Sequence, residues 1–332
     1  MESMVLAKPA NVDDAPLKLV ELPKPIPSEG ECLIKVNTCG ICHTDLHIVE
    51  GEISPPSLPV VLGHQVVGVV ESVGDGVDQI QVGMRVGVPW LHEACGECAA
   101  CRRGEENLCP TARFTGFHVN GGYSDYLLAK AGYVLPIPSN LSDIEAAPLL
   151  CAGIIGYRSL RKVELAPNER LGLIGFGASA HLAIQVANYW NCSVHVFTRS
   201  DDHRRHAEEL GAVWVGGIED YPPEKLDRII IFAPNGKLIL PALERLRPGG
   251  TLAINAIYMT DIPSMSYQLI YGERTVRTVA NATFQDGIEF LKIAAQISLK
   301  VSVKVYPLAD SNLALRDLKN SKIIGEGVLL IN

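Results

Sequence analysis

From Leu171 to Thr198 the chain carries no Asp, Glu, Lys or Arg. The run is long enough to be tested as a membrane span. It fails that test, because Gly172, Gly175, Gly177, Ser179, His181, Gln185, Asn188 and Asn191 interrupt it. A buried strand, a glycine turn, a helix and a second strand fit it instead. Leu171–Ile174 is apolar, Gly175-Phe176-Gly177 turns, and Ala180, Ala183, Ile184 and Ala187 then share one helical face. Ser193–Phe197 reads as the second strand and Asp202–Leu210 as a second helix, stopped by Gly211. Further strands are predicted at Arg228–Phe232, Thr251–Asn255 and Thr275–Val279. This alternation builds a doubly wound parallel sheet with helices on both faces.

The first turn of that pattern carries chemistry. Gly175-Phe176-Gly177-Ala178-Ser179-Ala180 fits the G-x-G-x-x-G/A fingerprint, in which small residues let backbone N–H groups approach a pyrophosphate at a helix N-terminus. Gly175, Phe176, Gly177 and Ala178 are therefore candidate cofactor contacts. An acidic residue ending the second strand would bond the ribose hydroxyls of NAD. Here the strand ends Phe197-Thr198-Arg199-Ser200, with Arg204 and Arg205 one turn on. A hydroxyl and a guanidinium suit a 2′-phosphate, so Thr198, Arg199 and Arg204 favour NADP(H) over NAD(H). Asp201 and Asp202 oppose that reading, and a solvated Arg199 is its plain alternative.

The first 145 or so residues differ in texture. Glu31–Asn37, Val66–Val73, Arg85–Val88 and Tyr123–Ala129 read as short strands among Gly- and Pro-rich loops, an irregular all-β domain. A helix is expected after Ser142, where Asp143 and Glu145 make an acidic first turn. The last forty residues return to strands and a helix near Asp310–Lys319, then the apolar run Gly327–Ile331, expected to pack on the first domain.

Within that first part Cys95, Cys98, Cys101 and Cys109 fall inside fifteen residues. The short spacers let a turning backbone aim successive thiolates at one ion, the pattern of a closed structural zinc site. An iron–sulfur cluster also takes four cysteines, but the seven-residue last arm is long for it. Nine cysteines without an export signal suit a reducing cytoplasm. A net charge of −8 argues against nucleic acid or an anionic membrane as partner.

A second constellation is less legible. Cys42-His43-Thr44-Asp45-Leu46-His47 crowds ligands and proton carriers together, and His64 and Cys151 stand well apart from it. Taken singly, each could be a core thiol or a satisfied histidine. Taken in order, Gly40–Asp45, Gly63-His64, the four-cysteine lobe, Cys151-Ala152-Gly153 and the Gly175–Ala180 turn resemble the zinc-containing medium-chain alcohol dehydrogenases over nearly the whole chain. The resemblance implies a GroES-like catalytic domain at 1–145 and 286–332, with its zinc lobe at about 91–110, and a Rossmann cofactor domain at 146–285. It implies two Zn²⁺ per chain, one held by Cys42, His64 and Cys151 in the cleft between the domains and one by the four-cysteine lobe. Two thiolates and an imidazole leave zinc an open Lewis-acid position. Zinc can lower bound water from about 15.7 to about 7, on the order of 12 kcal/mol. Thr44 and His47 are implied as the proton relay and Asp45 as the partner that orients His64. His43 and Lys322 are implied to lie near the pyrophosphate.

The expected activity is hydride transfer between a primary alcohol or aldehyde and NAD(P), on a scaffold that pairs into dimers or tetramers. A polyol or secondary-alcohol dehydrogenase is the alternative enzyme. A non-catalytic zinc- and nucleotide-binding scaffold is the alternative class, and would leave Thr44 and His47 without purpose. Trp90, Phe114 and residues near Leu91 and Tyr258 are the expected apolar pocket walls. Two departures from the family stand out. Gln65 replaces a common glutamate, which should leave the zinc more electron-poor, and Ile155 replaces a threonine that contacts the nicotinamide ring. Cys32, Cys39 and Cys192 have no partner spacing and read as core thiols, while His118, His181 and His195 have no motif.

Overall fold

The computed structural model describes residues 1–332. The chain separates into Met1–Ala152 with Asn281–Gln296 and Val301–Asn332, and a second unit of Gly153–Ala280 with Ile297–Lys300.

The second unit holds six parallel strands in the spatial order Trp214–Gly216, Ser193–Phe197, Arg170–Ile174, Leu226–Ile231, Leu246–Ile254, Thr275–Thr278. Counted along this unit, the order is 3-2-1-4-5-6, the doubly wound arrangement. Its central strands are buried on both faces, Leu171, Leu173, Val194, Val196 and Ile229–Ile231 among them. Parallel strands covered on both faces need such unbroken apolar runs. The Ala178–Tyr189 helix buries the predicted Ala180, Ala183, Ile184 and Ala187, but also His181, Leu182 and Val186. It is enclosed around most of its circumference, which accounts for the missing charges. The next helix, Asp201–Glu209, starts one residue earlier than predicted because Ser200 Oγ caps His203 N at 3.4 Å.

In the first unit the eleven-residue strand Glu31–Ile41 organises a seven-stranded sheet. Val66–Val73 pairs with it along its length, Tyr126–Lys130 with its first half and Glu326–Leu330 with its last residues. Ile34, Val36, Cys39, Ile41, Val66, Leu127 and Leu329 meet in one core, each large aliphatic contributing about 1.5–3 kcal/mol. A small antiparallel sheet of Leu17–Glu21, Glu2–Leu6 and Val60–Val61 leads into Leu62-Gly63-His64. The expected helix after Ser142 forms at Asp143–Ala146, closed by a capping box with Glu145. The C-terminal helix and strand, Ser311–Lys319 and Glu326–Leu330, belong to this unit. The four-cysteine lobe is a hairpin of Leu91–Glu93 and Arg113–Phe114 enclosing one helical turn, Ala99–Arg102.

Candidate metal and cofactor sites

The strand Glu31–Ile41 runs straight into the His43–Glu50 helix, and Cys42 is the joint between them. Its extended backbone makes it the helix N-cap: Thr44 N donates to Cys42 Sγ at 3.5 Å, and Cys42 N donates to Asp45 Oδ2 at 3.0 Å. His64 follows Gly63, whose φ of +95° suits glycine. A Cβ there would lie 2.4 Å from the Tyr123 ring, so no larger residue fits. Cys151 follows the Ala147–Leu150 turn, and Leu150 packs where Gly87 has no side chain. The ligand atoms of Cys42, His64 and Cys151 thereby come within 4.8 Å of one another.

This donor set fits zinc. His64 is wholly buried and neither ring nitrogen has a hydrogen-bond partner, and with two thiols beside it this suits a metal ligand. Asp45, also wholly buried, sits 3.5 Å from His64 Nδ1 and accepts from Gly63 N (3.1 Å) and Tyr123 OH (3.1 Å). Burial opposes a charge on His64, yet Asp45 and Cys42 outweigh it and push its pKa up to about 10. A metal ion binding there must displace that proton. Cys151 donating toward Cys42, with help from His64, holds the Cys42 thiol well below its usual pKa, while Cys42 raises Cys151.

Tyr123 was not foreseen as part of the site. It lies 78 residues from Asp45, and only the fold brings the two together. Thr44 is nearly buried, with Oγ1 3.6 Å from Cys42 Sγ. His47 Nδ1 pairs with the Glu52 carboxylate, a second partner the sequence did not mark. Burial keeps the His43 imidazole below its usual pKa. Lys322 is exposed and 4.0 Å from Asp317, away from this cluster's own contacts.

The Trp90 ring meets His64 edge-on at 4.6 Å and stacks on Phe114 at 5.0 Å. Leu91 pairs with Phe114 across the hairpin and is buried in the lobe with Cys109 and Ala112, with Phe114 packed against that cluster. Tyr258 belongs to the second unit and is partly exposed.

The sulfurs of Cys95, Cys98, Cys101 and Cys109 also gather within 4.8 Å. Cys98 N donates to Cys95 Sγ (3.3 Å) and Cys101 N to Cys98 Sγ (3.5 Å), the turn geometry that short spacers impose. Backbone donation and the Thr111 hydroxyl bring Cys109 down to about 6. Cys32, Cys39 and Cys192 are buried core thiols, and no cysteine is in a disulfide.

In the second unit Gly175 adopts φ +88° and its N donates to Phe197 O at 2.9 Å. Gly177 is the N-cap of the Ala178–Tyr189 helix with no side-chain cap, and a Cβ on it would meet open space. Those first-turn amides fit an anion such as a pyrophosphate. Thr198 is buried at the end of its strand; Arg204 Nε donates to Thr198 O (3.2 Å), and Arg199 is exposed beside them.

A two-unit chain with a Cys-His-Cys metal trio, a four-cysteine lobe and a dinucleotide turn defines a zinc- and nicotinamide-dependent oxidoreductase. Comparison with known proteins agrees. The model for the alcohol dehydrogenase GroES-like domain matches residues 28–139, and that for zinc-binding dehydrogenases matches 180–296. The probable alcohol dehydrogenase AdhA of Mycobacterium tuberculosis is 45% identical over all of this chain and 97% of its own. A cinnamyl alcohol dehydrogenase from Sorghum bicolor superposes with TM-score 0.90 at 28% identity, over 99% of this chain and 97% of its own. Acetophenone reductase from Geotrichum candidum, solved with NAD, gives 0.88 at 25%, over 99% and 96%. The chain belongs to the zinc-containing medium-chain alcohol dehydrogenase family. Its activity is that of a zinc-type alcohol dehydrogenase using a nicotinamide cofactor. No helix is long and apolar enough to cross a membrane.

Proposed function

We propose that this enzyme interconverts primary alcohols and aldehydes, favours NADP(H) over NAD(H), and carries two zinc ions per chain. Cys42, His64 and Cys151 hold the catalytic ion; Cys95, Cys98, Cys101 and Cys109 hold the structural one. The observation that carries the reading is the buried, unpartnered His64 Nε2 converging with two thiols. Zinc held there would supply a Lewis-acid position able to acidify an alcohol hydroxyl or polarise a carbonyl, and a nicotinamide bound by the second unit would supply the hydride chemistry.

The chain's own residues do the rest. Asp45 holds the ring of His64 in place. Thr44 Oγ1, beside Cys42, takes up the alcohol proton, and His47 passes it toward solvent with Nδ1 held by Glu52. Trp90 and Phe114 give an apolar wall that keeps water out and suits aliphatic or aromatic chains. Gly175, Phe176, Gly177 and Ala178 cradle the pyrophosphate, with His43 and Lys322 as cationic or hydrogen-bonding support. Thr198, Arg199 and Arg204 take the 2′-phosphate. The likeness to acetophenone reductase supports secondary alcohols as a second reading. Free cysteines throughout support a reducing compartment such as the cytoplasm. Assembly into dimers or tetramers is supported by the edge strand Thr275–Thr278 and the exposed Ile257, Ile262, Met265, Tyr267 and Tyr271 near it.

The test is kcat/KM for NADP⁺ against NAD⁺, followed at 340 nm with benzyl alcohol, 1-phenylethanol and sorbitol. Wild type favours NADP⁺ and benzyl alcohol, and Arg199→Asp shifts the ratio toward NAD⁺ by about tenfold or more, the worth of one charge-assisted bond. A wild type that prefers NAD⁺ contradicts the cofactor assignment, and faster turnover of sorbitol or 1-phenylethanol contradicts the substrate class.

A further inference from the structure

Three strand ends meet at one corner of the first unit's sheet. Glu31–Ile41 finishes beside Cys42, Val66–Val73 begins just after His64 and Gln65, and Glu326–Leu330 begins with Glu326. The register fixes the meeting: Cys39 pairs with Val66, and Ile41 pairs with Gly327. Gln65 and Glu326, 261 residues apart, face each other there, and Gln65 Nε2 donates to Glu326 Oε1 at 2.7 Å.

Both side chains are buried, at 0% and 2% exposure, and each leaves one acceptor oxygen, Gln65 Oε1 and Glu326 Oε2, without a partner. Such burial costs on the order of 1–3 kcal/mol for each unmade bond. A clamp needed only to join two strands would be cheaper as a pair of aliphatic side chains. The space for the pair is also specifically cleared. A Cβ on Gly40 would lie 2.8 Å from Gln65 Cδ and Nε2, and Gly40 N donates to Gln65 O at 2.9 Å. On the other side Glu326 N donates to Ser302 O at 2.9 Å, and Gly325, at φ +80°, could carry no side chain against Ser302 O.

The ionisable groups that act on this carboxyl are Cys42, His64 and Asp45. Burial drives its pKa well above the carboxylate range, Cys42 and Asp45 push the same way, and His64 and the Gln65 amide oppose them. The carboxyl missing from position 65 is thus present at the same corner, delivered from the last strand of the chain.

We propose that Glu326, locked to Gln65, is a positioning residue of the Cys42–His64–Cys151 site, holding the His64 strand end in register with Cys42 and setting how firmly the metal is retained. The inference rests on the reading of those three residues as zinc ligands, and its test separates the two.

Zinc release to the chromogenic chelator 4-(2-pyridylazo)resorcinol is followed for the full-length holoenzyme and for Glu326→Gln, Gln65→Glu and the double exchange Gln65→Glu/Glu326→Gln. Two release phases are expected in wild type, and the phase missing from Cys151→Ser is the catalytic ion. Glu326→Gln should accelerate that phase about tenfold, the usual scale for residues that orient metal ligands. It should leave the lobe phase unchanged. The double exchange restores a carboxyl–amide pair and should return the catalytic phase most of the way to wild type, a rescue that a role in strand packing alone would not produce. An unmoved catalytic phase in Glu326→Gln, or a double exchange as leaky as the single one, overturns the inference and leaves the ligand assignment standing. A Cys151→Ser protein that still shows both phases overturns the ligand assignment and the inference with it. Should Glu326→Gln fail to fold, the double exchange decides alone: wild-type retention supports the pairing, and fast loss overturns it.

Discussion

The two cysteine-bearing clusters of this chain gather potential metal ligands by opposite means. Cys95, Cys98, Cys101 and Cys109 come from a single hairpin, and the lobe's own N–H groups aim the sulfurs. Cys42, His64 and Cys151 come from a strand–helix joint, a glycine turn and the end of a separate turn, and only the completed sheet brings them together. The local cluster is partly exposed and all sulfur; the assembled one sets two half-buried cysteines around a wholly buried His64, and has Asp45, Tyr123, Gln65 and Glu326 beside it. A site built within one hairpin can form early and hold a loop. A site built from distant segments is correct only when the fold is.

The contrast is sharpest on removal of a ligand. Cys151→Ser should lower kcat/KM on the order of 10³-fold, the loss of several kcal/mol of Lewis-acid assistance. Asp45→Asn keeps every ligand but loses the carboxylate facing His64; retained zinc, titrated against a competing chelator, should weaken by roughly 10–100-fold. Tyr123→Phe removes only the hydroxyl that fixes Asp45, one hydrogen bond worth about 1.5–3 kcal/mol to a charged group. Its zinc affinity should fall by about tenfold, with the ring still filling the space beside Gly63. Cys98→Ser belongs on the other side of the comparison. Turnover at low temperature should hardly change, while loss of the lobe ion lowers the unfolding midpoint by about 5 °C or more in calorimetry. If Cys98→Ser instead costs as much turnover as Cys151→Ser, the division between a holding site and a working site collapses.

The same contrast explains what could be read from the chain. The lobe was visible in spacing because its geometry is local, and the Gly175 turn was visible because strand, turn and helix are consecutive. Several predicted strands match within a residue or two, Val66–Val73, Arg85–Val88 and Ser193–Phe197 end to end. The Cys42–His64–Cys151 set was legible only through family resemblance, since no spacing rule joins residues that far apart. Tyr123, Glu52 and Glu326 carried no signal at all, for their partnerships depend on register across strands and helix ends. Gly40 and Gly63 did offer one: glycines flanking candidate ligands mark places where another side chain must pass. The His43–Glu50 helix was masked because its cap is a cysteine and its first turn is polar, so the segment reads as a cluster of ligands and not as a helix start.

Zinc counting by inductively coupled plasma mass spectrometry on fully loaded wild type and on His64→Ala tests the central claim most directly. Two ions per chain falling to one, with the lobe ion and the fold retained, is the result required. One ion in the wild type, or two ions surviving His64→Ala, would contradict it.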